Sequence, residues 1–188
     1  MTCIVGIRTK DQVLIGGDSA GTDDALGQRI RMDTKVFRVN SFIIGYTTSY
    51  RMGQILRYEL KLPKVTGDIF KYMVTKFIPA VRDCLRKGGY FMKWEESQQE
   101  EISAFLVGYK NRLFLIEEDM QVGESFGDYE ASGCGEDFAM GVLGSEFQHK
   151  DPFKRVEDAL SVSAKFSAGV AKPFRILNTK NKKEVIIQ

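Results

Sequence analysis

An α+β fold, with runs of strands kept apart from runs of helices, is expected from three features of the 188-residue sequence. Short apolar runs bounded by polar turns open the chain and recur in its second half. Apolar residues spaced by three and four occupy the middle. The order strands, helices, strands, helices, strand never becomes a strict strand–helix alternation. No repeat, low-complexity tract or linker interrupts it, so one domain over residues 1–188 is expected.

The elements follow in order. CIVGI and VLIGGDS flank the polar turn RTKDQ and read as a hairpin. Residues 19–34 are polar and contain glycine, which reads as a loop. VFRV and SFIIGY are two strands joined at Asn40–Ser41. Ser49 to Leu60 has helical character. Ile69, Phe70, Met73, Phe77, Val81 and Leu85 then mark one face of a helix, with Thr66 as its expected N-cap, Gly88–Gly89 as its stop and a kink at Pro79. Residues 92–101 form a charged connection. ISAFLVGYK, RLFLIEE, MQVGES and YEASG read as four strands, and GEDFAMGVLG as a short helix. Asp151–Pro152 caps a helix that continues through Phe153, Val156, Ala159, Leu160 and Ser163. PFRIL is a last strand, and NTKNKKE is a polar turn before VIIQ.

Composition excludes several function classes. The chain is 43% hydrophobic and 28% charged, with a formal net charge of +2, which is not the balance of a strongly basic nucleic-acid binder. No apolar stretch reaches the roughly 18 residues of a membrane-crossing helix. The start MTCIVGIRTK lacks the layout of a secretory signal. Cys3, Cys84 and Cys134 are odd in number and scattered, as in the reduced thiols of a cytoplasmic protein rather than a disulfide framework or zinc site. The single histidine, His149, lies in the polar stretch EFQHKD and reads as a surface residue, which rules out a multi-histidine metal site. Walker and dinucleotide fingerprints are missing, because GCGEDF lacks the third glycine. Lys180, Lys182 and Lys183 read as a solvated turn. Neither a metal nor a cofactor is expected.

Without a catalytic histidine, the general base of an enzyme here would be an amine or a carboxylate. Thr2 follows the initiator methionine, and its small side chain permits removal of Met1. The exposed α-amine, with a reference pKa of about 7.7–8.0, would then sit beside its own hydroxyl and could take its proton during attack on a carbonyl. Many proteins begin Met-Thr for no chemical reason. The ordered surroundings add weight: Thr2 leads into a strand, Asp18 closes the next strand, and Lys35 begins the third. Hairpin pairing would bring Asp18 toward Thr2, and a buried Lys35 would lower the hydroxyl pKa and balance charge. Taken singly, an acidic and a basic residue at strand ends read as surface groups.

TCIVGI, VLIGGDSAGT, DTKVFRV and FIIGYTTS, in this order, resemble the proteasome β-subunit family, including the bacterial HslV-type peptidase. ASGCGEDFAMGVL resembles that family's Gly-Ser-Gly turn and following helix. The resemblance implies a four-layer αββα sandwich of the N-terminal-nucleophile hydrolase type. It also implies a threonine endopeptidase, with the Thr2 hydroxyl as nucleophile and its amine as base. Asp18 and Lys35 match the family's acidic and lysine positions, and Cys134 its supporting serine. The Thr48 N–H would help form an oxyanion hole, worth about 3–4 kcal/mol per donor; Gly45 and Thr47 would flank the substrate cleft. Unfolded polypeptide as substrate, a homo-oligomeric ring and an AAA+ unfoldase ATPase as partner are implied in the same way, with no nucleic acid and no membrane.

Three positions depart from the family pattern. Cys134 replaces a serine, Lys165 and Ser167 stand where an aspartate is usual, and Thr48 replaces a cleft glycine. A slow or narrowly specific peptidase, a catalytically silent assembly subunit of the same fold and a small-amide hydrolase are therefore all compatible with the sequence.

Overall fold

The computed structural model describes residues 1–23, 27–91, 101–146 and 149–188. The opening hairpin is β1 (Ile4–Arg8) and β2 (Val13–Gly17), with Ile4 opposite Gly17. Residues 19–34 are not simply a loop: β3 (Ala20–Thr22) pairs with β4 (Gln28–Ile30). This ribbon is missed by hydrophobic periodicity because it buries almost nothing, and β4 is exposed throughout. β5 (Val36–Val39) and β6 (Phe42–Tyr46) turn at Asn40, which takes the left-handed conformation at φ 53°.

Helix α1 (Tyr50–Glu59) starts at Ser49, whose hydroxyl accepts from the Met52 N–H. The long middle helix has three parts: α2 (Ile69–Tyr72), a π-helical turn (Met73–Phe77) and α3 (Ile78–Lys87). Its N-cap is Asp68, which accepts from the Lys71 N–H; Thr66 lies two residues too early. The kink expected at Pro79 takes the form of this widened turn, because proline lacks the N–H that would close a regular one. Gly88 ends the helix. Of the charged connection, residues 92–100 lie outside the described residues.

Four strands follow: β7 (Phe105–Tyr109), β8 (Arg112–Ile116), β9 (Val122–Glu124) and β10 (Tyr129–Ser132). Then come α4 (Glu136–Leu143), α5 (Pro152–Phe166), β11 (Phe174–Asn178) and β12 (Val185–Ile187). Asp151 caps α5 by accepting from the Phe153 N–H.

Two antiparallel five-stranded sheets result, ordered β10-β1-β2-β11-β12 and β5-β6-β7-β8-β9. Alternate residues of a strand point to opposite faces. Ile4, Val13, Ile15, Ile43, Leu106 and Leu113 pack between the sheets. The intervening Val5, Leu14 and Ile176 meet Val156, Ala159 and Leu160 of α5. On the other side Phe42, Ile44, Phe105 and Phe114 meet Met52, Phe77 and Val81 of the middle helices. Helix, sheet, sheet, helix is the four-layer αββα sandwich. Strands covered on both faces explain why CIVGI and FIIGY are unbroken apolar runs rather than alternating ones. Each such side chain contributes roughly 1.5–3 kcal/mol when fully buried.

Candidate active site

The β1–β2 register places Cys3 opposite Asp18, one step beyond the last paired strand residues. The Cys3 N–H donates to Asp18 Oδ1 at 3.0 Å and the Ala20 N–H to Oδ2 at 2.8 Å. Lys35 stands one residue before β5 and reaches across the sandwich to the same carboxylate. Its Nζ lies 2.9 and 3.0 Å from the two Asp18 oxygens and 2.6 Å from the Ala20 carbonyl oxygen. Asp18 is 2% exposed and Lys35 1%, so neither is the surface group that its residue type favours. Burial pulls the Lys35 ammonium below the usual lysine range, and the Asp18 charge opposes that shift. Tyr50 closes the pair from above, its hydroxyl donating to the Ala20 carbonyl oxygen at 3.1 Å. Burial raises the Tyr50 phenol far beyond the usual tyrosine range, so it acts here as a neutral donor.

Thr2 is buried and is tied to this carboxylate through the chain, because the N–H of the next residue, Cys3, is one of the carboxylate's donors. With Met1 attached, its nitrogen is an amide whose N–H donates to Cys134 Sγ at 3.2 Å, and its hydroxyl donates to the Met1 carbonyl oxygen at 2.5 Å. The Thr2 carbonyl oxygen accepts from the Gly135 N–H at 3.3 Å and from the Cys134 thiol at 3.4 Å. The turn that makes these contacts needs glycine. Gly133 has φ +100°, and a Cβ there would fall 2.4 Å from the Thr2 carbonyl oxygen. Behind it, Ser163 donates to the Gly135 carbonyl oxygen at 2.9 Å, fixing the turn onto α5. Of the four residues chosen from separate stretches of sequence, Cys134 touches Thr2 directly, Asp18 is joined to it through the Cys3 N–H, and Lys35 joins by way of Asp18.

The residues expected to flank the cleft divide. Thr47 is held by the Ala104 carbonyl oxygen through its N–H (3.2 Å) and its hydroxyl (2.8 Å). Thr48 lines the same open cleft as Gly133 and Cys134. Its φ of 56° is a left-handed conformation that a β-branched residue rarely adopts, and among the described residues its N–H has no acceptor. Gly45 does not belong to the cleft. It faces the inter-sheet core, where a Cβ would stand 2.6 Å from an Ile4 methyl carbon and 2.7 Å from one of Ile15. In β6 the residue's face is set by the period of two, and Gly45 shares the face of Ile43.

Ser167 is the partner that sequence reasoning left without a role. Its hydroxyl lies 3.2 Å from Cys134 Sγ, so the amide of Thr2, the thiol and this hydroxyl form a chain. Lys165, its neighbour at the end of α5, is exposed. The sequence signal for it is its place at the end of α5, where the resembling family has an aspartate. His149 is exposed, as its polar surroundings imply, and accepts from the Asp151 N–H. Among the described residues no group of three or more acidic, histidine or cysteine side chains is placed to hold a metal ion.

The sequence matches no protein-family model and no curated protein. Solved structures are similar across nearly the whole chain. BPH from Thiobacillus denitrificans is 16% identical with a TM-score of 0.72, covering 94% of this chain and 96% of its own. The same protein in complex with epoxomicin gives a TM-score of 0.73 at 16% identity, over 94% of this chain and 97% of that one. HslV from Trypanosoma brucei, also 16% identical, gives 0.66 over 94% of this chain and 98% of that one. A Gly-1 mutant of Anbu from Hyphomicrobium sp. strain MC1 gives 0.70 at 12% identity, over 100% of this chain and 87% of that one. The chain has the αββα fold of these proteins.

Proposed function

We propose, on the premise of an HslV-type fold, that this chain is a threonine peptidase in which the Thr2 hydroxyl attacks the scissile carbonyl once Met1 has been removed. The observation that carries the reading is the buried Asp18–Lys35 ion pair tied to the backbone next to Thr2 through the Cys3 N–H, with the Gly133–Gly135 turn holding Thr2 itself. A buried ion pair this close to a strand end does little that an apolar pair would not do better for stability alone. In this reading the Lys35 ammonium of the pair turns its charge toward the Thr2 hydroxyl in the Met1-free protein and favours the alkoxide.

The steps use this chain's own groups. Loss of Met1 turns the Thr2 nitrogen from an amide donor into an amine, which takes the hydroxyl proton as Oγ1 attacks. The thiol of Cys134, linked to Ser167, then orients that amine instead of the amide. The Thr48 N–H receives the developing oxyanion, and the protonated amine returns its proton to the leaving nitrogen. Water repeats the sequence on the acyl-enzyme. BPH bound to epoxomicin supports a peptidase reading for this fold.

The rest of the reading extends the resemblance to the HslV type. Residues 1–188 act as one unit, copies assemble into a ring that sequesters unfolded polypeptide in the cytoplasm, and an AAA+ ATPase delivers substrate. Among the described residues no helix is long and apolar enough to cross a membrane. A silent assembly subunit is the second reading, favoured by the thiol of Cys134 in place of a hydroxyl.

Intact mass of the purified protein and labelling with an epoxyketone test the proposal. Met1 loss with a covalent adduct on Thr2, abolished in Thr2→Ala, is the expected result. A fully assembled protein that keeps Met1 and resists the label makes it the silent subunit instead.

A further inference from the structure

Beside the Thr2 cluster opens a cavity of about 830 Å³, walled by Thr47, Thr48, Gly133 and Cys134 at its inner end. Seven carboxylates line it, with no lysine, arginine or histidine among the described lining residues. Glu117, Glu118 and Asp119 come from the loop after β8, Glu130 from β10, and Glu136 and Asp137 from the start of α4. Seven of the 25 Asp and Glu residues of a chain with net charge +2 thus border one cavity.

A second observation concerns the backbone. Among the described residues β10 is an edge strand, paired only with β1. The Ala131 N–H turns away from β1 and donates to the Glu130 carboxylate at 3.2 Å. In an antiparallel ladder a residue points its N–H and C=O the same way, so Ala131 directs both groups to the open side, which is the cavity wall, with its N–H held by Glu130 until a partner strand replaces that carboxylate. A free strand edge takes an extended chain. Half-burial raises the Glu130 carboxyl above its usual range, helped by the nearby charges of Glu117 and Glu136. Repulsion of that kind is relieved when a cation enters. With Glu101 from the stretch before β7, the carboxylates come from four separate stretches rather than converging as a metal site, and an organic cation on a flexible side chain fits that spread.

We infer that this cleft receives an extended segment of the substrate polypeptide that is rich in lysine or arginine, paired through its backbone with the β10 edge at Ala131 and through its side chains with the acidic wall. The inference rests on the peptidase reading for its place in catalysis, but binding can be measured without turnover.

The experiment uses the full chain carrying Thr2→Ala and fluorescent eight-residue peptides that differ only in three Lys, three Gln or three Glu. Binding of the Lys peptide is expected to be about tenfold tighter than that of the Gln peptide at low salt, with the gap closing near 0.5 M salt. The Glu peptide is expected to bind weakest. The double substitution Glu117→Gln, Asp137→Asn, checked by circular dichroism for an unchanged fold, should cut the Lys preference at least about threefold. N-methylation of alternate peptide nitrogens should weaken binding further in one register only. Equal binding of the three peptides, no binding of any, or a Lys preference that survives the double substitution overturns the inference. A Lys peptide that binds but is never cut by the Met1-free protein sinks the peptidase reading alone. Cleavage with no charge preference sinks only the inference.

Discussion

Lys35 and Asp18 form an ion pair 2.9 Å long in which the two partners are unequally supported. Asp18 also accepts the N–H groups of Cys3 and Ala20, whereas Lys35 has one further acceptor, the Ala20 carbonyl oxygen. Removing Lys35 leaves a carboxylate still held by the Cys3 and Ala20 N–H groups and, at 3.5 Å, by that of Ala171. Removing Asp18 leaves an ammonium with a single neutral partner and takes the anchor from the Cys3 amide. Asp18→Ala is therefore expected to cost about 3–5 kcal/mol, and Lys35→Met less, in urea unfolding. A larger loss for Lys35→Met would contradict this assignment of support.

Cys134→Ser tests the thiol's place beside Thr2. A hydroxyl is a stronger hydrogen-bond partner than a thiol for both the Thr2 nitrogen and Ser167. Cys134 is exposed, so the exchange disturbs little of the core. Peptide turnover by the Met1-free protein should rise about fivefold, equivalent to roughly 1 kcal/mol, with little change in the melting temperature. Unchanged or lower turnover would remove Cys134 from the positioning of the amine.

Thr48→Gly relieves a left-handed backbone at φ 56°. Threonine pays about 1–2 kcal/mol there, partly offset in the variant by the greater freedom of glycine when unfolded. A net gain of about 0.5–1 kcal/mol is expected by chemical denaturation. The lost side chain also widens the cleft, so cleavage should extend to bulkier peptides at the same time. Destabilisation would show that the Thr48 side chain carries packing that outweighs its strain.

Glu130 makes a pH prediction. Burial, with the charges of Glu117 and Glu136, raises its folded-state pKa above the unfolded value, while the Ala131 N–H opposes the shift. A carboxyl raised in this way favours the folded state when protonated. The penalty is missing below the ordinary carboxylate pKa of about 4.3, grows as pH rises through the raised value, and stays constant above it. Glu130→Gln keeps an acceptor for the Ala131 N–H. Its melting-temperature advantage over the native chain should accordingly increase from pH 4 toward neutrality and then level off. An advantage confined to acid would reverse the sign and refute the cause.

Much of the architecture is written in local pattern. The unbroken apolar strands, the spacing of three and four along the middle helix and the Asp151–Pro152 start of α5 each follow from residues close together in the chain. Where those signals are weak the expectations slipped by small steps. The β3–β4 ribbon buries too little to show a period, and two capping residues, Thr66 and Asp68, compete within one turn. The candidate site divides in the same way. Thr2, Asp18, Lys35 and Cys134 could be nominated from chain order and family likeness, because each sits at a strand end or in a glycine turn. Their union could not, since it depends on the β1–β2 register, on Lys35 crossing between two sheets, and on Ser163 anchoring the Gly133–Gly135 turn to α5. Gly45 shows the limit most plainly: two residues from the cleft in sequence, it points into the core because side chains along a strand alternate, and which face meets water is settled by what packs on the sheet. The acidic wall draws on four stretches that are separate in sequence, so it exists only once the fold has gathered them.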